Sequence, residues 1–352
     1  MLQAKVVKRM RVILKLKAKE PLSIGFESIG TTTLLYKLPV VKDNGDVLDI
    51  PIIPGNSIRG AFRDVMVIQF LQDVKEKLES NQNNSSNTKK GKAEDIDRTL
   101  TVNAGTLMTL FSGGILAKSG EHGLNAKKIS EKMENYVKPL LPLSIMGCAL
   151  VKFMVPSKLK FGIGYPIVEE TKDLIDDLIE DEPKVKLEDI LITVQMMRKD
   201  DKVKMSQLDQ LGIQTNFEEL DKMMGLAEEE GDNQKKTKES AVQQRFVREA
   251  VAPGTTFVTY IEELIPLTEA EWGLVFKTLE NFSSVGGSIC RGFGKIKVEI
   301  KNLKDVQRYK EAYKKFIEEN IDYIINALKA SPEIGEKSKS KKGKDQNLSA
   351  FT

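Results

Sequence analysis

Ile53-Pro54-Gly55-Asn56-Ser57-Ile58-Arg59-Gly60-Ala61-Phe62-Arg63 is the stretch from which the rest of the chain can be ordered. Pro54-Gly55 stops what precedes it, Asn56 or Ser57 supplies an N-cap, and an apolar-periodic run follows from Ile58 to about Leu78. A helix is therefore predicted to begin here. Arg59 and Arg63 fall four residues apart on one face of its first two turns, where unpaired cations oppose the positive end of the helix dipole. Two readings relieve that opposition: an anion held between them, phosphate being usual at a helix N-terminus, or carboxylates on a neighbouring loop.

Upstream, residues 7–19 alternate as a strand, with Val12, Leu14, Leu16 and Ala18 on one face and Arg11, Lys15, Lys17 and Lys19 mostly on the other. Downstream, residues 187–198 and 246–262 read as two further strands. Thr268-x-x-Glu271 is a capping box opening a helix that carries Trp272, Val275, Phe276 and Leu279, and Lys295 to Lys301 alternates as a last strand. The order β-α-β-β-α-β predicts an α+β fold with a ferredoxin-like, RRM-like core. That core spans residues 1–302, with insertions at about 20–55, 80–186 and 199–245, the last a charged, thumb-like projection. Residues 303–330 follow as a C-terminal helix, and 331–352 form a lysine-rich tail expected to be disordered, as is the polar stretch Asn81 to Lys92.

A second glycine-punctuated segment, Val285-Gly286-Gly287-Ser288-Ile289-Cys290-Arg291-Gly292-Phe293-Gly294-Lys295, lies near the other end. Its Gly292-x-Gly294 opens into a strand, whereas a dinucleotide loop must open into a helix, and no Walker pattern exists. Both segments place accessible amides beside arginines and carry neither an obvious nucleophile nor a general base. That combination suits holding a polyanion rather than cutting one.

Together these segments, with Glu249-Ala250-Val251-Ala252-Pro253-Gly254-Thr255-Thr256-Phe257, resemble the RAMP superfamily of CRISPR-associated proteins. The resemblance is to the repeated backbone subunits that coat guide RNA in class 1 effector complexes, and it spans most of residues 5–302. More narrowly, Thr33-Leu34-Leu35-Tyr36-Lys37-Leu38-Pro39-Val40, Leu110-Phe111-Ser112-Gly113-Gly114 and Leu141-Pro142-Leu143-Ser144-Ile145-Met146-Gly147-Cys148-Ala149 resemble the type IV backbone subunit. The resemblance implies a non-enzymatic, cofactor-free protein that binds guide RNA (crRNA) and joins head to tail with further copies of itself. Other CRISPR effector subunits and a complementary target nucleic acid are its implied partners. Asn56, Ser57, Arg59, Arg63, Gly286, Gly287, Arg291 and Lys37 become candidate RNA contacts. The thumb would wedge the guide apart, with Met196, Met197, Met205, Met223 and Met224 offering flexible thioethers to an unstacked base or filling a small local core.

Target-cleaving type III relatives carry an aspartate shortly before a Pro-Val pair. Here Tyr36, Lys37 and Leu38 precede Pro39-Val40, while Asp43, Asp46 and Asp49 follow around Asn44-Gly45, a hairpin-turn signal. Two alternatives stay open: a type III subunit that cleaves target RNA with Asp43 in a shifted register, and a RAMP-family guide-processing endonuclease. The latter usually employs histidine, tyrosine or lysine, and His122, in Gly120-Glu121-His122-Gly123, is the sole histidine.

Composition sets wider bounds. A formal net charge of +3 over 352 residues does not prove nucleic-acid binding, so any basic surface must come from segregation of charge. Cys148 and Cys290 form no Cys-x-x-Cys and no disulfide framework. Carboxylates near 169–189 and 218–232 are interspersed with lysines, as on solvated faces rather than metal sites. With no visible signal peptide and no apolar run of about 18 residues, a soluble cytoplasmic protein away from membranes is expected.

Overall fold

The computed structural model describes residues 9–42, 44–86, 99–116, 126–151, 153–180, 182–199, 243–301 and 305–332. His122, Asp43, the segment 87–92, most of the thumb with Met205, Met223 and Met224, and residues 333–352 of the tail lie outside them. The fold is mixed α+β. Strand β1 (Arg11–Ala18) alternates as its sequence requires, burying Val12, Leu14, Leu16 and Ala18. The β2–β3 hairpin (Gly25–Ile29 and Thr32–Leu35) and the β4–β5 hairpin (Lys37–Val41 and Val47–Pro51) follow, the second turning at Asn44-Gly45 as expected. Gly45 sits at φ +87°, open to glycine at no steric cost.

Helix α1 (Gly55–Ser86) starts one or two residues before the predicted caps. The carbonyl of Pro54 accepts the N–H groups of Ser57 and Ile58 at 2.9 and 3.2 Å, so Asn56 and Ser57 lie in the first turn instead of capping it. Residues 104–190 contribute α2 (Ala104–Ser112), β6 (Gly114–Leu116), α3 (Ala126–Lys132), α4 (Leu141–Met146), β7 (Cys148–Val151), β8 (Phe153–Val155), β9 (Leu159–Phe161), β10 (Tyr165–Pro166), α5 (Lys172–Ile175) and α6 (Leu187–Ile190). Then come β11 (Leu191–Lys199), β12 (Gln243–Val251), β13 (Thr256–Glu263), α7 (Glu269–Asn281), β14 (Ile296–Lys301) and α8 (Val306–Lys329).

Two sheets organise the molecule. The first runs β10-β13-β1-β14, with β9 also on β13, every neighbouring pair antiparallel. On its inner face β1 meets Ile58, Phe62, Met66 and Phe70 of α1 and Trp272, Phe276 and Leu279 of α7 in one core. The capping box of α7 forms as predicted: Thr268 Oγ1 accepts from the Glu271 N–H, and Glu271 Oε2 accepts from the Thr268 N–H at 2.9 Å. Buried Glu271 also takes Ser144 Oγ at 2.6 Å and Lys158 Nζ at 2.5 Å, which ties α7 to α4 and to the residue just before β9. Helix α8 crosses at Gly273, where a β-carbon would stand 2.1 Å from the Tyr309 carbonyl oxygen.

The second sheet runs β11-β12-β3-β2, and here two strand assignments are corrected. Residues 246–262 are not one strand: a turn at Pro253-Gly254, with Gly254 at φ +94° and its N–H on the Ala18 carbonyl, divides them between the sheets. Strand β11 is not in the first sheet either, because it pairs with β12 along its whole length, from Leu191↔Val251 to Lys199↔Gln243. The edge of β13 is filled by β9 and β10, so the 80–186 excursion is part core. Among the described residues no helix is long and apolar enough to cross a membrane.

Candidate nucleic-acid interface

The helix period decides what the first glycine segment can do. Ser57, Ala61 and Asp64 share one face of α1 and line an open cleft of about 720 Å3. Arg59 lies about 200° round the helix from Ser57 at 3.6 residues per turn. The two arginines do share a face, as their spacing predicts, but it is the opposite one. Arg59 Nη2 donates to the Met146 carbonyl at 2.7 Å, and Arg63 Nη2 donates to the carbonyls of Met146 and Gly147 at 3.0 and 3.2 Å. Both expected partners, phosphate and carboxylate, are thus replaced by the carbonyl end of α4, where acceptors are unsatisfied and the dipole is negative. Arg63 is only 8% exposed, so its guanidinium belongs to the interior. Burial lowers its pKa, with Arg59 adding to the effect.

Two of the short sequence blocks find their reason at this arginine. Gly113, at φ +80°, lies so close that a β-carbon would stand 2.3 Å from Arg63 Nη1, and Met146-Gly147 supplies the acceptors. Cys148 follows directly; burial pushes its thiol up to about 11 although Arg63 and Lys132 pull the other way.

The cleft on the other face of α1 unites segments far apart in sequence. Besides Ser57 it is lined by Ile24, Ser28 and Thr33 of the β2–β3 region, by Gly286, Gly287, Ser288 and Ile289, and by Arg248 of β12. Gly286, at φ +93°, lets the loop approach the chain so closely that a β-carbon would meet the Ser23 carbonyl oxygen at 2.9 Å. The Gly287 N–H is spent on Ser23 O at 3.1 Å, which removes it from the predicted donors. The N–H groups of Gly286 and Ser288 donate to no group among the described residues. Glu27 and Asp64 also stand in the wall, and burial raises the Asp64 carboxyl against the opposing pull of Arg63.

Arg248 is the functional candidate that sequence reasoning missed. Its Nε is buried with no hydrogen-bond partner, and its Cζ sits 5.8 Å from the centre of the Phe293 ring. The signal was its place beside Glu249, already prominent in the sequence. Glu249 Oε2 accepts from the Leu35 N–H at 3.0 Å and pairs with Lys37 Nζ at 3.4 Å, so Lys37 is half-buried in a salt bridge. Asn56 is exposed in the first turn and does not line the cleft.

A smaller cavity of about 340 Å3 brings together Met196, Met197, Phe246 and Arg291, uniting the methionines of β11 with the arginine of the glycine loop. Met197 is 69% exposed and fills no core. Among the described residues no cluster of His, Cys, Asp or Glu could hold a metal ion.

The family model of the RAMP superfamily matches residues 15–297. The chain belongs to the RAMP superfamily. Both glycine segments and β12 fall within the matched RAMP region. A solved chain described as "Type IV-B CRISPR Complex" is similar to this RAMP protein at 15% identity, covering 84% of this chain and 92% of that one, with a TM-score of 0.45. Comparison with curated proteins finds no match.

Proposed function

We propose that this chain is a guide-RNA-binding backbone subunit that oligomerises head to tail along crRNA in a class 1, type IV-like CRISPR ribonucleoprotein. The observation that carries this reading is the cleft at which the first turn of α1, the Gly286–Ser288 turn and the unpartnered Nε of Arg248 converge. Phosphate is the ligand such donors favour, and phosphate contacts position a strand without reading it, leaving sequence to base pairing. The cavity of Met196, Met197, Phe246 and Arg291 is the matching place for an unstacked base. The core is ferredoxin-like on this reading, with β1, α1, β13, α7 and β14 in order and β9 and β10 standing in for its second strand. Recovering the protein from its host and sequencing the RNA bound to it tests the proposal. A shared repeat-derived end is expected; random fragments would count against it.

No enzymatic step is assigned. Phosphodiester cleavage needs a general base or a metal-bound hydroxide. Where type III relatives place an aspartate, this chain has Lys37, ion-paired with Glu249. Guide-bound protein should therefore leave a complementary target RNA uncut in magnesium or manganese. Regular cuts that vanish in Asp43→Ala would move the chain to the type III reading.

The β11–β12 ladder supplies a further expectation. Lys199 and Gln243 are directly paired, so residues 200–242 leave and rejoin the sheet at adjacent points. Replacing 200–242 by Asn-Gly, which favours a two-residue hairpin turn, should leave the thermal midpoint of the core unchanged and shorten filaments on RNA. Micrographs showing filaments of wild-type length, or a variant that unfolds, would end the thumb assignment.

A further inference from the structure

The outer face of the first sheet carries charge that neither the core nor the cleft explains. Because β1 and β14 turn their apolar residues to the helices, Lys15 and Lys17 of β1 and Lys297, Glu299 and Lys301 of β14 share the opposite face. Their register sets Lys17 directly across from Lys297 and Lys15 across from Glu299. Lys19 and Lys295 extend both rows, joined by the Lys19 N–H to the Lys295 carbonyl at 2.8 Å. Glu299 is held by Lys297 at 2.9 Å, and that bond, then the charges of Lys17 and Lys15, keep its carboxyl below the usual range. Lys15, Lys17, Lys19, Lys295 and Lys301 have no ion-pair partner among the described residues.

Like charges directly opposed across a ladder destabilise it. Lysines on an edge strand can discourage sheet-to-sheet pairing, which would account for β14. That does not account for β1, which lies between β13 and β14. The rest of this face is closed: Ile175 and Leu178 pack on Val258 with Ile13, Tyr165 and Tyr260 around them, and Arg11 bonds Asp177 at 3.0 Å. What stays open is a strip of lysines about 7 Å apart along β1 and about 5 Å from those of β14, whose row Glu299 interrupts between Lys297 and Lys301.

We propose that this strip binds a single strand of nucleic acid through its phosphates, as a second site separate from the cleft at Arg248. Repeated point charges match a repeated phosphate. The strip has no large exposed apolar side chain of the kind that anchors a protein partner. Six lysines thus gather on one surface of a chain whose net charge is only +3.

Amine acetylation of the full chain, read by mass spectrometry with and without a uridine homopolymer, tests the site without altering the fold. Lys15, Lys17, Lys19, Lys295, Lys297 and Lys301 should lose reactivity on adding the polymer, in wild type and in Arg248→Ala alike, so that failure of the cleft leaves this result readable. Unchanged reactivity overturns the proposal. So does protection that appears on raising protein concentration alone, which would assign the strip to a second copy. In an Arg248→Ala background, changing Lys15, Lys17 and Lys297 to Gln should make the slope of log affinity against log salt shallower by about 2, at about 0.7 per lost phosphate contact. An unaltered slope in the folded variant would refute it.

Discussion

Arg63→Ala is expected to cost about 3 kcal/mol of stability and to lower the thermal midpoint of the full chain by several degrees. The truncation removes the side-chain donor of the Gly147 carbonyl and one of the two arginine donors of the Met146 carbonyl, and leaves a gap against Gly113. Unsatisfied buried acceptors cost more than the net worth of the bond that served them. Arg59→Ala should cost less, because the Met146 carbonyl still has Arg63 and Arg59 is less buried. The folded fraction of Arg63→Ala should bind RNA as wild type does. A variant that kept its midpoint but lost RNA affinity would return Arg63 to the phosphate set.

Arg248→Ala is expected to weaken single-stranded RNA binding by about tenfold to hundredfold at moderate salt, since a hydrogen bond to a charged group is worth about 1.5–3 kcal/mol. The loss should be nearly equal for unrelated sequences, with the salt slope reduced by about 0.7, because a phosphate contact carries no base information. Arg248→Lys keeps the charge but loses the planar fork, so it should recover only part of the affinity. Truncation leaves no partner unpaired, as the Nε has none, and the midpoint should hardly move. Wild-type affinity in a folded Arg248→Ala would remove the cleft from the proposal.

What could be read in advance was local. The start of α1 near Pro54-Gly55, the capping box at Thr268, the turn at Asn44-Gly45 and the alternation of β1 each rest on residues within a few positions of one another. Strand pairing is not local. The β11 sequence suits either sheet, and only its ladder with β12 decides. The four-residue spacing of Arg59 and Arg63 predicted a shared face correctly, yet nothing in it said that α4, some eighty residues on, would end against that face. Arg248 was passed over because a single arginine in an alternating strand is unremarked until the glycine loop folds beside it.

One consequence of the β12 strand concerns distance. Arg248 and Gln243 stand five residues apart on a continuous strand, which at 3.3–3.4 Å per residue is about 17 Å. The Lys199–Gln243 end of the ladder and the cleft are therefore the two marks of a built-in ruler. Lengthening or shortening 200–242 changes how far the insert can reach, while its origin stays at a constant offset from the cleft. Variants that differ only in that insert should share one spacing of contacts along a bound strand, whatever their reach.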